Sequence, residues 1–323
     1  MAFRTRRAIR AKIETETGLT TQGNLSGGRF FNADGKANMK VKGMKFWERL
    51  NIYHALLSLS NFQFLALIFI IFTMINLLFA GLYLFIGIDK LNGMIAITPL
   101  DKFSEAFFFS AQTFTTVGYG RINPVGFAAS FTASTEALIG LMCFALITGL
   151  IYGRFSRPRA YIRYSKNVLF APFKDGVALM MRMVPYTKNY LVNAEAKITM
   201  AMQVQEGEEL KTRFYNLTLD ISRANTITSN WTLVHPINED SPLWEMKKED
   251  IENARVELLI FITGFDESFA NTVISRASYT SDTFVYGAKF GPMFHPDAKN
   301  KTTVLQLDML DSFTLVDIPM SFE

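Results

Sequence analysis

Two hydrophobic patterns divide this chain. Its first half holds long unbroken apolar runs, and its second half alternates apolar with polar residues. Residues 62–87 carry no charged side chain, and residues 127–153 carry one, Glu136. A helix needs about 20 apolar residues to cross the hydrocarbon core of a bilayer. Both runs exceed that and predict membrane-crossing helices. The first run begins too far along the chain, and is too long, to be the apolar region of a secretory signal.

Shorter patterns surround these runs. At 46–59, Phe46, Leu50, Tyr53 and Leu57 recur at three- or four-residue steps, with Glu48, Arg49 and Asn51 elsewhere. That pattern predicts an amphipathic helix lying in the membrane surface. Ser58, Ser60 and Asn61 predict a break before the first span. Between the spans, 101–115 is apolar but too short to cross. It predicts a re-entrant helix, opened by Pro99 and Asp101. Backbone that enters a membrane without crossing as helix must be buried in protein or line water. The segment before residue 45 is polar, basic and glycine-rich, a composition that predicts flexibility.

Beyond Pro158 the period changes to two. In 191–204, Val192, Ala194, Ala196, Ile198, Met200, Met202 and Val204 fall on one face, and Asn193, Glu195, Lys197, Thr199 and Gln203 on the other. Segments 214–221, 254–265, 283–290 and 303–316 look similar. Short strands separated by turn residues predict an antiparallel β-sandwich. No helical period is expected between Lys174 and Thr314. The predicted fold class is therefore membrane α plus all-β: two transmembrane helices with a re-entrant pore helix, then a β-sandwich. The expected divisions are 1–45, a basic N-terminus; 46–60, an interfacial helix; 61–155, the membrane domain; and 156–323, the sandwich.

Charge orients this layout. The chain has 33 Lys and Arg against 29 Asp and Glu. Arg4, Arg6, Arg7, Arg10, Lys12, Lys40, Lys42, Lys45 and Arg49 precede the first span, and Arg154, Arg157, Arg159 and Arg163 follow the second. The positive-inside rule puts both termini in the cytoplasm. No recognisable nucleic-acid module accompanies the basic residues. The single cysteine, Cys143, lies in the second span and can form no intrachain disulfide. His54, His235 and His295 are scattered, with no nucleophile or metal-ligand spacing beside them, which disfavours an enzyme.

Thr-Thr-Val-Gly-Tyr-Gly at 115–120 ends the predicted re-entrant helix. Potassium must exchange its hydration shell for protein oxygens in a selectivity filter. Consecutive carbonyls can point at one axis only if the backbone alternates between unusual dihedrals, which Gly118 and Gly120 tolerate at low cost. The carbonyls of Thr116, Val117, Gly118 and Tyr119, with the Thr116 hydroxyl, are the candidate metal sites, occupied by potassium ions. Tyr119 is expected to wedge the ring open. One chain supplies a quarter of such a ring, so the expected assembly is a homotetramer, with no further cofactor. The short helix also aims its negative end at the cavity centre, which favours a cation.

In the second span Glu136, Gly140, Phe144, Thr148 and Tyr152 recur every four residues and are read as a pore-facing line. Gly140 is a candidate bend or a close-packing site, and Tyr152 a candidate gate at the cytoplasmic end. Glu136 is ionisable within a span, hence functional by presumption. It is expected behind the filter near Gln112, supporting that loop. Arg121, directly after the filter, is expected to lower local potassium at the outer mouth in low salt. Lys45, Arg49, Arg154, Arg157 and Arg159 are candidates for anionic lipid headgroups.

These features resemble the inward-rectifier potassium channels, the bacterial branch in particular. Tyr-His-Ala-Leu-Leu-Ser-Leu-Ser (53–60) looks like that family's slide helix, and Arg-Phe-Ser-Arg-Pro-Arg (154–159) like the end of its inner helix. His-Pro-Ile-Asn-Glu-Asp-Ser-Pro-Leu-Trp (235–244) and Ser-Arg-Ala-Ser-Tyr (275–279) look like parts of its cytoplasmic domain. The resemblance implies an immunoglobulin-like sandwich whose tetramer extends the pore, with a second constriction at 269–277. It also implies a multi-pass channel in the cell inner membrane, modulated by lipid. Acidic positions that attract polyamine or divalent blockers in strong rectifiers match Phe144 and Asn193 here, so weak rectification is expected. The glutamate that many relatives carry behind the filter is Gln112 here. The alternatives are a membrane-tethered ligand sensor with a non-conducting pore and a transporter subunit. The intact filter opposes the sensor, and the single pore segment opposes the transporter.

Overall fold

The computed structural model describes residues 29–33, 35, 38, 42–43, 52–156, 158–187, 190–206, 209–297 and 302–318. The flexibility expected before residue 29, the first part of the expected surface helix, and Lys45, Arg49 and Arg157 lie outside the described residues. The chain forms two compact units, residues 42–157 and residues 1–41 with 158–323.

The first unit is helical: α1 (Ile52–Ser58), α2 (Asn61–Ile86), α3 (Pro99–Phe114) and α4 (Phe127–Phe155). Both α2 and α4 are long and apolar enough to cross a membrane. The break between α1 and α2 has a local cause. Ser60 caps α2, its hydroxyl accepting from Gln63 N at 3.2 Å while Gln63 Oε1 accepts from Ser60 N at 3.0 Å. The same reciprocal cap opens α3. Thr98 Oγ1 accepts from Asp101 N at 3.2 Å, and Asp101 Oδ2 accepts from Thr98 N at 3.3 Å. Such boxes satisfy donors that a helix start leaves orphaned. The sequence reading missed a two-residue ladder, β1 (Leu91–Asn92) with β2 (Asn123–Pro124), which ties the two loops flanking α3. Gly93 makes this approach possible. Its φ is +91°, and a Cβ there would lie 1.9 Å from the Arg121 carbonyl. The unit's core joins Phe79, Ala80 and Tyr83 of α2 to Ala106 and Phe109 of α3 and Ala133 of α4.

The second unit is a β-sandwich. One sheet runs β11 (Asn271–Thr280), β10 (Glu257–Asp266), β6 (Leu191–Glu206) and β7 (Glu209–Leu217), with β8 (Arg223–Ile227) also on β6. The other runs β12 (Phe284–Tyr286), β4 (Val168–Phe173), β5 (Gly176–Pro185) and β3 (Ile162–Tyr164), with β9 (Trp231–Ile237) on β5. Every pairing within them is antiparallel except β12 with β4. Leu179, Met181 and Met183 of β5 meet Ile198, Met200 and Met202 of β6 and Leu258 and Ile260 of β10 in one core. Shorter ladders follow, β13 (Ala288–Phe290) with β16 (Phe313–Leu315) and β14 (Phe294–Asp297) with β15 (Thr302–Leu305).

Three departures from expectation have physical causes. Strands β4 and β5 gave no alternating signal because both of their faces are largely buried. A helix, α5 (Lys248–Asn253), stands where none was expected; six residues are too few to show a period. In β6 the alternation slips. Leu191 and Ala194 are buried while Val192 is only half-buried. The register against β10 shifts between Thr263 and Phe265, and Asn193 has φ +49°. This is a β-bulge, whose extra residue flips the face of everything before it.

Residues 29–31 lie on the first sheet. Glu257, 3% exposed, accepts from Phe30 N at 2.8 Å, Phe31 N at 3.1 Å and the Ser278 hydroxyl at 2.7 Å. Arg29 donates to the Ser278 carbonyl at 2.9 Å, and the Phe30 ring meets Phe214 edge-on.

Candidate functional site

Helix α3 ends at Phe114, and the chain turns back on its last carbonyls. Thr115 N donates to Ala111 O at 3.1 Å and Thr116 N to Thr113 O at 3.0 Å. Val117 N and Gly118 N both donate to the Gln112 carbonyl, at 2.9 and 3.3 Å. Gln112 thus supports this loop through its main chain. From there every second residue has positive φ: Thr116 at +59°, Gly118 at +51° and Gly120 at +85°. Alternating handedness turns successive peptide planes so that their carbonyls share one side. For Thr116 such a conformation costs about 1–2 kcal/mol; the glycines adopt it freely. All five residues from Thr116 to Gly120 are exposed in the single chain, Tyr119 to 79%.

Behind α3 lies a buried polar cluster. Glu136 of α4 is 0% exposed. Tyr83 of α2 donates to its Oε2 at 2.6 Å, and the Ser110 hydroxyl of α3 contacts its Oε1. Ser110 also lies 2.9 Å from Asn76 Oδ1, and the Asn76 amide donates to Phe72 O at 2.7 Å. Glu136 therefore joins three helices. Its partners are Tyr83 and Ser110, two residues before the expected Gln112. Asn76, Tyr83 and Ser110 were absent from the sequence reading. Their signal was present: Asn76 and Tyr83 stand seven apart in an otherwise apolar run, hence on one helix face.

The four-residue line along α4 does not hold together. On a helix of 3.6 residues per turn each such step advances ~40°, so the line rotates ~160° from 136 to 152. Glu136 and Gly140 are buried inside the unit, whereas Phe144, Thr148 and Tyr152 are exposed, Phe144 to 71% and Tyr152 to 73%. Gly140 faces α3. A Cβ there would lie 1.9 Å from the Phe114 carbonyl, two residues before Thr116. It is a close-packing glycine and leaves the line of exposed residues.

Charge at the other end of α3 is also balanced. Arg121 meets Glu105 through Nη1 and Nη2, each 3.0 Å from Oε1. Glu105 Oε2 accepts from Ile95 N at 3.1 Å. The expected bare positive charge is instead half of an ion pair, and no net repulsion of potassium follows from it.

Among the lipid candidates, Arg159 is exposed. Arg154 is occupied: Nη1 donates to Leu56 O at 2.9 Å, and Nη2 to Leu59 O at 2.8 Å and Asn61 Oδ1 at 2.9 Å. Its guanidinium also lies 4.6 Å from the Phe64 ring centroid.

In the sandwich, Asn193 is exposed at the β6 bulge. The residues expected at a second constriction, 269–277, span the β10–β11 turn and most of β11, where Ile274 is 55% exposed. Phe269 is 41% exposed, but Ala277 is buried in the core and faces no open space. His235 is buried. Its Nδ1–H donates to Thr218 O at 2.7 Å and its Nε2 accepts from the Ser241 hydroxyl at 2.8 Å. Burial holds its pKa below the ordinary imidazole value, partly offset by the Thr218 bond. Among the described residues, no group of three or more His, Cys, Asp or Glu is placed to hold a metal ion.

Known proteins match both units. Residues 162–322 match the inward rectifier potassium channel C-terminal domain family, and residues 66–157 match an ion channel family. The inward rectifier potassium channel Kirbac3.1 of Paramagnetospirillum magnetotacticum is 34% identical over 269 residues, 82% of this chain and 89% of that protein. Inward rectifier potassium channel 4 of Mesocricetus auratus is 30% identical over 210 residues, 61% of this chain and 47% of its own length. The same channel of Homo sapiens is also 30% identical, with 46% of its length covered. This chain thus spans just under half the length of these animal relatives.

Proposed function

Because this chain belongs to the inward rectifier potassium channel family, with two membrane-crossing helices followed by a cytoplasmic β-sandwich, we propose that four copies form one pore conducting potassium passively. The observation that carries this reading is the positive φ at Thr116, Gly118 and Gly120, which lets the carbonyls of four chains share one axis. Potassium ions bind there in turn, and no other cofactor takes part. Glu136, Tyr83 and Ser110 brace α3 and keep the filter at fixed diameter. Tyr152, exposed in the single chain, meets its three copies at the cytoplasmic end and gates by excluding water. The channel lies in the cell inner membrane with both termini in the cytoplasm.

Phe144 and Asn193 are neutral where a polyamine would need negative charge. Block by spermine is therefore weak and shallow in voltage. Anionic lipid modulates opening, with Arg159 the described residue free to meet a headgroup. The test is barium-sensitive rubidium uptake into proteoliposomes. The natural chain takes up rubidium and excludes sodium. Gly118→Ala, which puts a side chain at φ +51°, falls to background. Uptake of both ions at equal rates by the natural chain refutes the reading.

A further inference from the structure

We infer that Glu136 is held in the folded channel as the neutral acid, a hydrogen-bond donor to Ser110. It is then a positioning residue that braces the filter without placing charge behind it. This deepens the proposed channel reading and rests on it. Three oxygen–oxygen contacts run through the buried cluster. They are Tyr83 Oη with Glu136 Oε2 at 2.6 Å, Glu136 Oε1 with Ser110 Oγ, and Ser110 Oγ with Asn76 Oδ1 at 2.9 Å. Two oxygens in hydrogen-bond contact must share a proton. The Tyr83 and Ser110 hydroxyls supply one each. The Asn76 amide supplies none to these contacts, because Oδ1 faces Ser110 while Nδ2 donates to the Phe72 carbonyl at 2.7 Å. Turning that amide over would set Oδ1 against the same carbonyl and only move the shortage. The third proton therefore belongs to the carboxyl group.

The resulting chain of bonds has one direction. Tyr83 donates to Glu136, Glu136 to Ser110, Ser110 to Asn76, and Asn76 to the Phe72 carbonyl. It leaves α2, passes through α4 and α3, and returns to α2. Bonds polarised in one sense strengthen one another. An ionised Glu136 would take the Ser110 proton and leave Asn76 Oδ1 facing a bare oxygen. The surroundings favour the same state. Asn76, Ser110 and Glu136 are 0% exposed and Tyr83 is 1% exposed. Tyr83 packs edge-on to Phe109, with ring centroids 5.1 Å apart, beside Phe79, Ala80, Ala106 and Ala133. Among the described residues no basic side chain pairs with Glu136, and Tyr83 is the titratable group that touches it. A carboxylate there would have neither water nor counterion, and a group so placed neutralises instead. Cation binding in the filter then draws on main-chain carbonyls and the end of α3, with no negative charge from Glu136.

The experiment is infrared difference spectroscopy on the full-length channel in proteoliposomes, natural chain minus Glu136→Gln. Glutamine keeps an acceptor for Tyr83 and a donor for Ser110 but has no carboxyl group. The neutral acid gives a protonated-carboxyl C=O band in the difference. That band is unchanged between about pH 6 and about pH 8, where an exposed carboxylate is fully ionised. Ser110→Ala removes the acceptor of the proton and shifts the same band. The ratio of rubidium uptake by Glu136→Gln to that by the natural chain is constant over the same pH range. Carboxylate bands in place of the acid band overturn the inference, and so does an uptake ratio that changes with pH. Should Glu136→Gln fail to assemble, natural chain minus Ser110→Ala decides. A shifted acid band there supports the inference, and no acid band overturns it. The spectra are recorded whether or not the channel conducts. Equal uptake of rubidium and sodium by the natural chain would refute the channel reading, whereas a missing acid band would refute the proton on Glu136 alone.

Discussion

The two units hide opposite things. In the helical unit Asn76, Ser110 and Glu136 are 0% exposed, while Phe62, Phe85 and Phe127 are 83%, 88% and 86% exposed. In the sandwich Leu179, Met181, Met200 and Phe214 are 0% exposed. One rule produces both arrangements. Each unit buries what its surroundings solvate badly, and hydrocarbon solvates poorly what water solvates well. Stability in the sandwich therefore lies in apolar area. In the helical unit it lies in close packing and in a small set of satisfied polar groups.

The largest expected effect tests close packing. Gly140→Ala puts a methyl against the Phe114 carbonyl, a main-chain atom that cannot swing aside. Tetramer yield by size exclusion and rubidium uptake should both fall to background, while the sandwich keeps its β-sheet circular dichroism. Met200→Ala should do the reverse. It removes a fully buried core side chain, costing the sandwich about 2–5 kcal/mol in denaturant unfolding. If Gly140→Ala unfolded the sandwich as well, the contrast between the units would fail.

A smaller effect probes the polar cluster. Glu136→Ala leaves the Tyr83 hydroxyl facing a void, at roughly 1–3 kcal/mol for the unsatisfied group, while Ser110 keeps Asn76 Oδ1 as its acceptor. Glu136→Gln keeps an acceptor for Tyr83 and should retain most of the melting temperature of the solubilised channel. Equal losses for the two variants would mean that side-chain volume, not hydrogen bonding, matters at this position.

The smallest effect is pH-dependent and belongs to the sandwich. His235 has a lowered pKa when folded, so the unfolded chain binds more protons below the ordinary histidine value of about 6.5. Stability from this group is therefore complete above that pH and is lost as pH falls through it. The sandwich should melt lower at pH 5 than at pH 8, and His235→Gln should flatten part of that slope. An unchanged slope would assign the acid sensitivity to other groups.

Legibility followed the same division. Long apolar runs marked α2 and α4 to within about two residues, because a bilayer imposes length. The break at Ser60 and the start of α3 were readable because capping chemistry is local. Strands buried on both faces, β4 and β5, carry no alternation to read. The bulge at Asn193 depends on a partner strand more than sixty residues away, opposite Gly264, which no local pattern records. At the site, the positive-φ backbone of 116–120 was legible because Gly118 and Gly120 stand within one short stretch of sequence. The partners of Glu136, Arg121 and Arg154 come from separate helices and loops, and only folding brings them together.

Glu257 and the segment it holds have a consequence for biosynthesis. Phe30 reaches the carboxylate across 227 positions of sequence, and Arg29 reaches Ser278 across 249. A chain made from its N-terminus exposes residues 29–31 first and their acceptors only after both membrane runs have left the ribosome. The earliest part of the chain thus finds its place among the last. A ribosome halted before codon 257 would hold a product with its membrane helices complete and that segment still without Glu257 and Ser278.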